Sequence, residues 1–269
     1  MRKILAFLLI FVLLLSFAAC NPANEGNGTT EGAGTTADPD VTTAEPKPDG
    51  VMTYAEYVAA AVDASVTVEA YVQATQSWWS DEGQGKITVY LADRDGAYFA
   101  YEMACEEADA AKLTKGTKIR VSGYKAEWMG EVEIVDGTFE FLEGADTYVA
   151  EAYDVTDKLS SDMLIEFQNR FVAFKGMTVE AMGQDAEGND IVFYYNWDNS
   201  GTEGNDLYFK VSVGENSYVF TVESYLTGKD SDVYKAVKEL KVGDRIDMEG
   251  FLYWYEGVNP HITSVTAAE

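Results

Sequence analysis

Residues 113–130 read LTKGTKIRVSGYKAEWMG, and residues 240–257 read LKVGDRIDMEGFLYWYEG. The two segments align without a gap. Leu113 answers Leu240, Gly116 answers Gly243, Ile119 answers Ile246, Gly123 answers Gly250 and Gly130 answers Gly257. Tyr124 and Trp128 answer Phe251 and Tyr255. Glycines recur at fixed spacing where the backbone makes the same turns twice, so the chain reads as a duplicated domain. A chain of 269 residues has room for two small domains.

Each copy has the same order of elements. Residues 53–64, TYAEYVAAAVDA, open with Thr53 and Glu56 at capping-box spacing and carry Tyr54, Tyr57, Val58, Ala61 and Val62 on one stripe, which predicts a short helix. Residues 66–73 alternate as a strand, and 87–91 with 97–101 predict a hairpin across Asp93-Arg94-Asp95-Gly96. Helical turns over 106–112, strand four over 118–128 and strand five over 131–141 complete the first copy. The second copy predicts a helical segment near 161–168, a strand over 174–182, a hairpin of 207–213 with 218–223, a helix over 232–239 and a last strand over 262–266. It is enlarged at residues 183–206 and 224–230. Three strands, a helix and two strands, with glycine at the bend of strand four, is the order of an OB-fold. The expected class is mainly β: two tandem OB-fold-like five-stranded barrels with short helices, over residues 51–149 and 150–269, after a signal peptide and a disordered linker.

Residues 1–20 begin with Arg2 and Lys3, continue as an apolar run and end in Ala18 and Ala19 before Cys20. This is an export signal, and its apolar run is shorter than the roughly 20 residues of a membrane-spanning helix. Phe17-Ala18-Ala19-Cys20 resembles the lipobox of bacterial lipoproteins, with Phe17 where that family usually has leucine. The resemblance implies that Cys20 is diacylated and becomes the mature N-terminus; a plain secretory signal cleaved elsewhere is the alternative. Two acyl chains suffice for stable anchoring, so the expected place is the cell membrane, lipid-anchored and facing outside the cytoplasm. Residues 21–50 hold no aromatic residue, Ile or Leu and predict a disordered spacer of roughly 30 Å end to end. The run MTYAEYVAAAVDASVTVEAYVQATQSWW, continued by DRDGAYFAYEMAC and LTKGTKIRVSGYKAEWMGEVEIVDG, resembles the OB-like domain of uncharacterised bacterial lipoproteins over residues 52–144, and the second repeat does so more loosely. That resemblance implies the fold and the anchor, and it brings no activity with it.

Charge and motifs narrow the function. With 19 Lys+Arg against 46 Asp+Glu the net charge is −27. Nucleic-acid binders neutralise phosphates with clustered cations, so no nucleic-acid partner is expected. Cys105 reads as a buried thiol unpaired with Cys20, and the one histidine, His261, lies in the other repeat. The chain has no nucleophile elbow, phosphate loop or dinucleotide fingerprint, and the acidic stretches 185–190 and 198–203 lack EF-hand spacing. No catalytic residue, cofactor or metal is expected, and the chain reads as a non-enzyme.

OB-folds bind on the face of strands two and three, flanked by the loops joining strands one to two and four to five. Trp78, Trp79, Trp128, Tyr195, Trp197 and Tyr255 fall at those places and are the candidate ligand-binding residues. Rings beside polar loops stack on sugar faces or on a partner's apolar side chains, so the expected partners are an extracellular saccharide or an envelope protein for which the chain is a scaffold. The alternative is that these rings plug the barrel mouths or pack the domains together.

Overall fold

A computed structural model of the chain describes residues 45–269; the export signal, Cys20 and the spacer up to residue 44 lie outside the described residues. The first barrel holds β1 (Ser65–Thr75), β2 (Gln84–Ala92), β3 (Ala97–Ala104), β4 (Lys118–Trp128) and β5 (Glu131–Phe141). β1 pairs antiparallel with both β2 and β4, β2 with β3, and β5 with β4, while β3 runs parallel to β5. That circuit closes the sheet on itself. The second barrel repeats it with β6 (Phe171–Glu180), β7 (Leu207–Val213), β8 (Asn216–Val222), β9 (Arg245–Phe251) and β10 (His261–Ala267). Here β6 pairs with β7 and β9, β7 with β8, β10 antiparallel with β9, and β8 parallel with β10. The chain is mainly β, built as two OB-fold-like barrels.

Alternation decides which side chains fill each barrel. Along β7, Leu207, Phe209 and Val211 are buried while Tyr208 and Lys210 point to the other face. Val68, Ile87, Val121 and Ile134 belong to one core, and Phe174, Phe209, Phe220 and Met248 to the other. The repeated glycines have a common cause. A Cβ at Gly123 would lie 2.6 Å from the Val135 carbonyl oxygen, and one at Gly250 would lie 2.3 Å from that of His261. In both barrels strand five crosses there, and the register of the strand-four ladder shifts beside the glycine.

The predicted helix at residue 53 forms as α1 (Tyr54–Ala59), with Thr53 and Glu56 in a reciprocal capping box. It stops early because Lys125 Nζ donates to the carbonyls of Tyr57, Val58 and Ala60 at 2.8 to 3.0 Å and holds the chain in a turn. The helix predicted over 232–239 forms as α2 (Asp232–Glu239), is capped by Ser231 and buries Val233, Tyr234 and Val237. The helical segment predicted near 161–168 forms as a 3₁₀-helix over Asp162–Phe167.

Two expectations are corrected. The spacer does not extend to Gly50, since Lys47 Nζ reaches the Asp93 carboxylate at 2.9 Å and the Glu69 carbonyl at 3.1 Å, docking residues 45–49 on the first barrel. Second, β9 ends at Phe251, shorter than β4, because the chain beyond it is drawn onto the first barrel: Trp254 N donates to Glu131 Oε2 and Glu256 N to the Met129 carbonyl.

Candidate functional site

The two barrels meet along a buried aromatic seam. Tyr90 and Phe99 from the first barrel pack on Phe251, with Phe171 and Tyr253 beside them. Tyr90 stacks on Phe251 with ring centroids 4.2 Å apart, and the Tyr90 hydroxyl lies 2.7 Å from His261 Nδ1. Tyr253 stacks on the His261 ring at 4.4 Å. Side chains of the second barrel also complete the backbone of the first. Gln168 donates to the Gly130 carbonyl and accepts from Val132 N, and Asn169 donates to the Val132 carbonyl. These bonds satisfy backbone groups that would otherwise be buried unpaired, so they fix the angle between barrels.

Above this seam opens a groove of about 1080 Å³, walled by both barrels. Trp78, Trp79, Trp128, Trp197 and Tyr255 all line it. They come from segments far apart in the chain. Trp78 is a half-buried prop whose indole nitrogen donates to the Cys105 carbonyl at 2.9 Å, and Trp79 is more exposed, with Lys86 Nζ over its ring at 4.9 Å. The rings of Trp128 and Tyr255 face each other across the barrels at 5.2 Å. Trp197 is 74% exposed on the enlarged loop, between Asn196 and Asn199 in left-handed conformations and beside Asp198, whose carboxylate accepts from Ser200 N. Tyr195 is placed elsewhere. It sits on the short edge strand Phe193–Tyr195 that pairs with β7, and it packs against the second core and Phe193.

Several lining residues escaped the sequence reading. Tyr101 and Tyr208 stand on outward faces of β3 and β7, which strand alternation alone identifies. Tyr225 lies in the enlarged segment 224–230, and its carbonyl accepts from Ser77 N across the barrels at 2.8 Å. Nothing in its sequence context marks it. Tyr253, Glu223 and His261 form the deeper part of the groove, with Glu223 and His261 buried.

The electrostatics of that deeper part follow from burial. Desolvation drives the His261 imidazole down to about 3, so the ring is neutral. Burial, with the Asp206 carboxylate nearby, lifts Glu223 to about 8, against the opposing hydrogen bonds from Gln76 Nε2 at 2.9 and 3.1 Å. Glu223 Oε2 and His261 Nδ1, 3.7 Å apart, are therefore no ion pair at neutral pH. Elsewhere, burial pushes the Cys105 thiol up to about 11, which keeps it protonated and unreactive. The Asp185 carboxylate is occupied by its own loop, accepting from Glu187 N, Asn189 N and Asn189 Nδ2. Among the described residues no group of three or more His, Cys, Asp or Glu is arranged to hold a metal ion.

No protein-family model matches the chain, and no curated protein matches it in sequence. Solved structures do resemble it. The Ifi202 HINa domain in complex with 20bp dsDNA is 13% identical, with a TM-score of 0.33, over 77% of this chain and 100% of that one. A murine DNA binding protein bound with ds DNA is 11% identical, with a TM-score of 0.35, over 76% of this chain and 96% of that one. A replication protein A heterotrimer bound to ssDNA is 14% identical, with a TM-score of 0.31, over 74% of this chain and 49% of that one. At these identities the likeness is one of fold. The expectation that nucleic acid is no partner is corrected, because the charge it rests on does not exclude one. The charge of −27 is a sum over the whole chain, whereas a polyanion meets only a local patch. Net charge is no ground for that exclusion.

Proposed function

We propose that this chain is a non-catalytic binding protein, held on the outer side of the membrane by a lipid at Cys20, which takes a saccharide into the groove between its barrels. One observation carries the reading. Of the eight exposed aromatic residues among those described, Trp79, Tyr101, Trp128, Trp197, Tyr225 and Tyr255 line this one groove, and only Tyr124 and Tyr153 lie elsewhere. Exposed rings scattered singly need no explanation, but six gathered on one concavity do. Sugars offer apolar C–H faces to such rings, and Gln76, Thr88 and Asn259 supply side chains that hydrogen-bond hydroxyls. The anchor is supported by the run ending in Ala18-Ala19-Cys20 and by the likeness to the bacterial lipoprotein domain.

Tryptophan fluorescence, followed while cell-wall and other extracellular oligosaccharides are added, tests the site. A saturable change that is lost in Trp128→Ala and Trp197→Ala, with circular dichroism unchanged, is the expected result. No response to any glycan overturns the reading. Oligonucleotides belong in the same titration, since the fold is shared with DNA-bound domains. For the anchor, Cys20→Ala should move the protein from the membrane fraction to the medium.

A protein partner is the second reading, favoured by the 67% and 74% exposure of Tyr225 and Trp197, since exposed aromatic anchors dominate protein interfaces. In-cell crosslinking that recovers one partner, lost on Trp197→Ala, would select it.

A further inference from the structure

We infer that the groove selects an amine-bearing saccharide, whose ammonium group sits between Asp206 and Glu223 while its ring faces lie on the aromatic rim. This rests on the saccharide reading and adds a charge requirement to it. Among the described residues the groove is lined by three acids, Glu102, Asp206 and Glu223, and by no Lys or Arg. Glu102 is already matched, since Lys86 Nζ lies 2.9 Å from its carboxylate. Among the described residues the other two acids have no cation. Asp206 Oδ1 accepts from the backbone nitrogen and hydroxyl of Ser224, both at 2.7 Å, and Glu223 accepts only the neutral Gln76 amide. His261 offers Glu223 no positive charge, because burial keeps the ring neutral.

Two neighbouring acids in an aromatic recess, with no counter-charge, repel each other's ionisation. Every titratable group facing Glu223 is acidic or neutral: Asp206, Tyr208, Tyr253, Tyr90 and His261. The free site therefore holds a proton on Glu223. An incoming ammonium supplies the missing charge, so Glu223 ionises and its proton passes to solvent. The bound state is an ammonium between two carboxylates, one proton having left for each ligand taken up. The rim adds to the same preference, because Trp and Tyr faces attract cations as well as sugar C–H groups. A groove of about 1080 Å³ is at the upper end of small-ligand sites and has room for a short oligomer rather than one ring.

Isothermal titration calorimetry on the purified chain decides the matter with three probes: a β-1,4-linked glucosamine tetramer, its fully N-acetylated counterpart and choline. Run at about pH 5.5, below the titration of Glu223 and of the sugar amines, in two buffers of different ionisation enthalpy, the free-amine tetramer should bind at least about tenfold tighter than the acetylated one. It should also release close to one proton. Glu223→Gln, which keeps the neutral shape and the Gln76 contact, should abolish the proton release and most of the preference for the free-amine tetramer. Equal affinity for both tetramers overturns the charge requirement and leaves the saccharide reading standing. Failure of both tetramers overturns the inference, and the saccharide reading falls with it only if every other glycan in the fluorescence titration is silent too. Choline binding as tightly as the free-amine tetramer overturns the sugar part of the inference, because the charge alone would then account for selection.

Discussion

Tyr90, on the second strand of one barrel, and His261, at the start of the last strand of the other, hold hydroxyl and Nδ1 2.7 Å apart, both side chains buried. The pair spans the seam beneath the groove and is polar on both sides, so neither atom has water as a substitute partner. Tyr90→Phe should therefore cost about 1–3 kcal/mol, the price of leaving a buried ring nitrogen without its partner. For a folded region of this size that lowers the unfolding temperature by roughly 2–4 °C per kcal/mol, read by calorimetry. An unchanged Tm would show that the seam is held by ring packing alone.

Stability should rise on acidification from neutral pH. Burial holds Glu131 at about 9, Glu133 at about 7 and Glu223 at about 8, where an ordinary glutamate sits at 4.5. The folded chain keeps protons that the unfolded chain releases above 4.5, so the stability these acids contribute is complete below that value and drains away as the pH rises through 7, 8 and 9. His261 opposes them, since a ring held near 3 against 6.5 loses stability as the pH falls below 6.5. Three acids outweigh one imidazole, each group changing stability by at most about 1.4 kcal/mol per pH unit within its window. A thermal-shift series should place the maximum near about pH 5, and a maximum near neutrality would contradict the burial of these acids.

Glu131→Gln separates one acid from the rest. Glu131 is fully buried and accepts from Trp254 N at 2.9 Å. A glutamine carbonyl accepts the same bond and carries no charge to desolvate. The variant should match the parent at about pH 5 and exceed it in Tm at about pH 9, where the parent ionises. Glu131→Ala should be destabilised at both.

Lys47→Ala tests the docking of residues 45–49. The Lys47 side chain is 3% exposed and that of Asp93 0%, with 2.9 Å between them. Removing the lysine leaves the Asp93 carboxylate buried without its cation, a change of about 3–5 kcal/mol for a broken buried pair. Hydrogen exchange at residues 45–51 should become fast, and Asp93→Asn combined with Lys47→Ala should recover part of the lost stability.

Gly130→Ala should loosen the seam more than Gly144→Ala. Both glycines have positive φ, +90° and +71°, so each substitution strains the backbone by roughly 1–2 kcal/mol. Only at Gly130 does a Cβ also meet a neighbour, lying 2.7 Å from Trp254 Cδ1, whereas Gly144 has nothing within 4 Å. Equal losses of Tm would show that Trp254 gives way freely.

The barrels were legible because their information is local. The glycines at 123 and 250, the capping box at Thr53 and the alternation of 207–213 each state a backbone requirement within a few residues. Trp78, Trp79, Trp128, Trp197 and Tyr255 were found from their places in the fold, yet that they share one groove depends on the angle between barrels. That angle is set by Gln168, Asn169, Tyr90 and His261, whose partners lie up to 171 positions away in the chain. Tyr195 was misplaced because a short edge strand turns it toward the second core. Lys47 was read as spacer because one buried ion pair leaves no trace in a run otherwise rich in glycine, threonine and acid.

The groove's walls belong to different barrels, with Trp128 on one facing Tyr255 on the other. A molecule seated between them is then a strut as well as a cargo. Whatever fills the space ties the two halves together, and whatever breaks the bonds that fix their angle reshapes the space and weakens the hold. Occupancy and rigidity of this chain are two readings of one equilibrium.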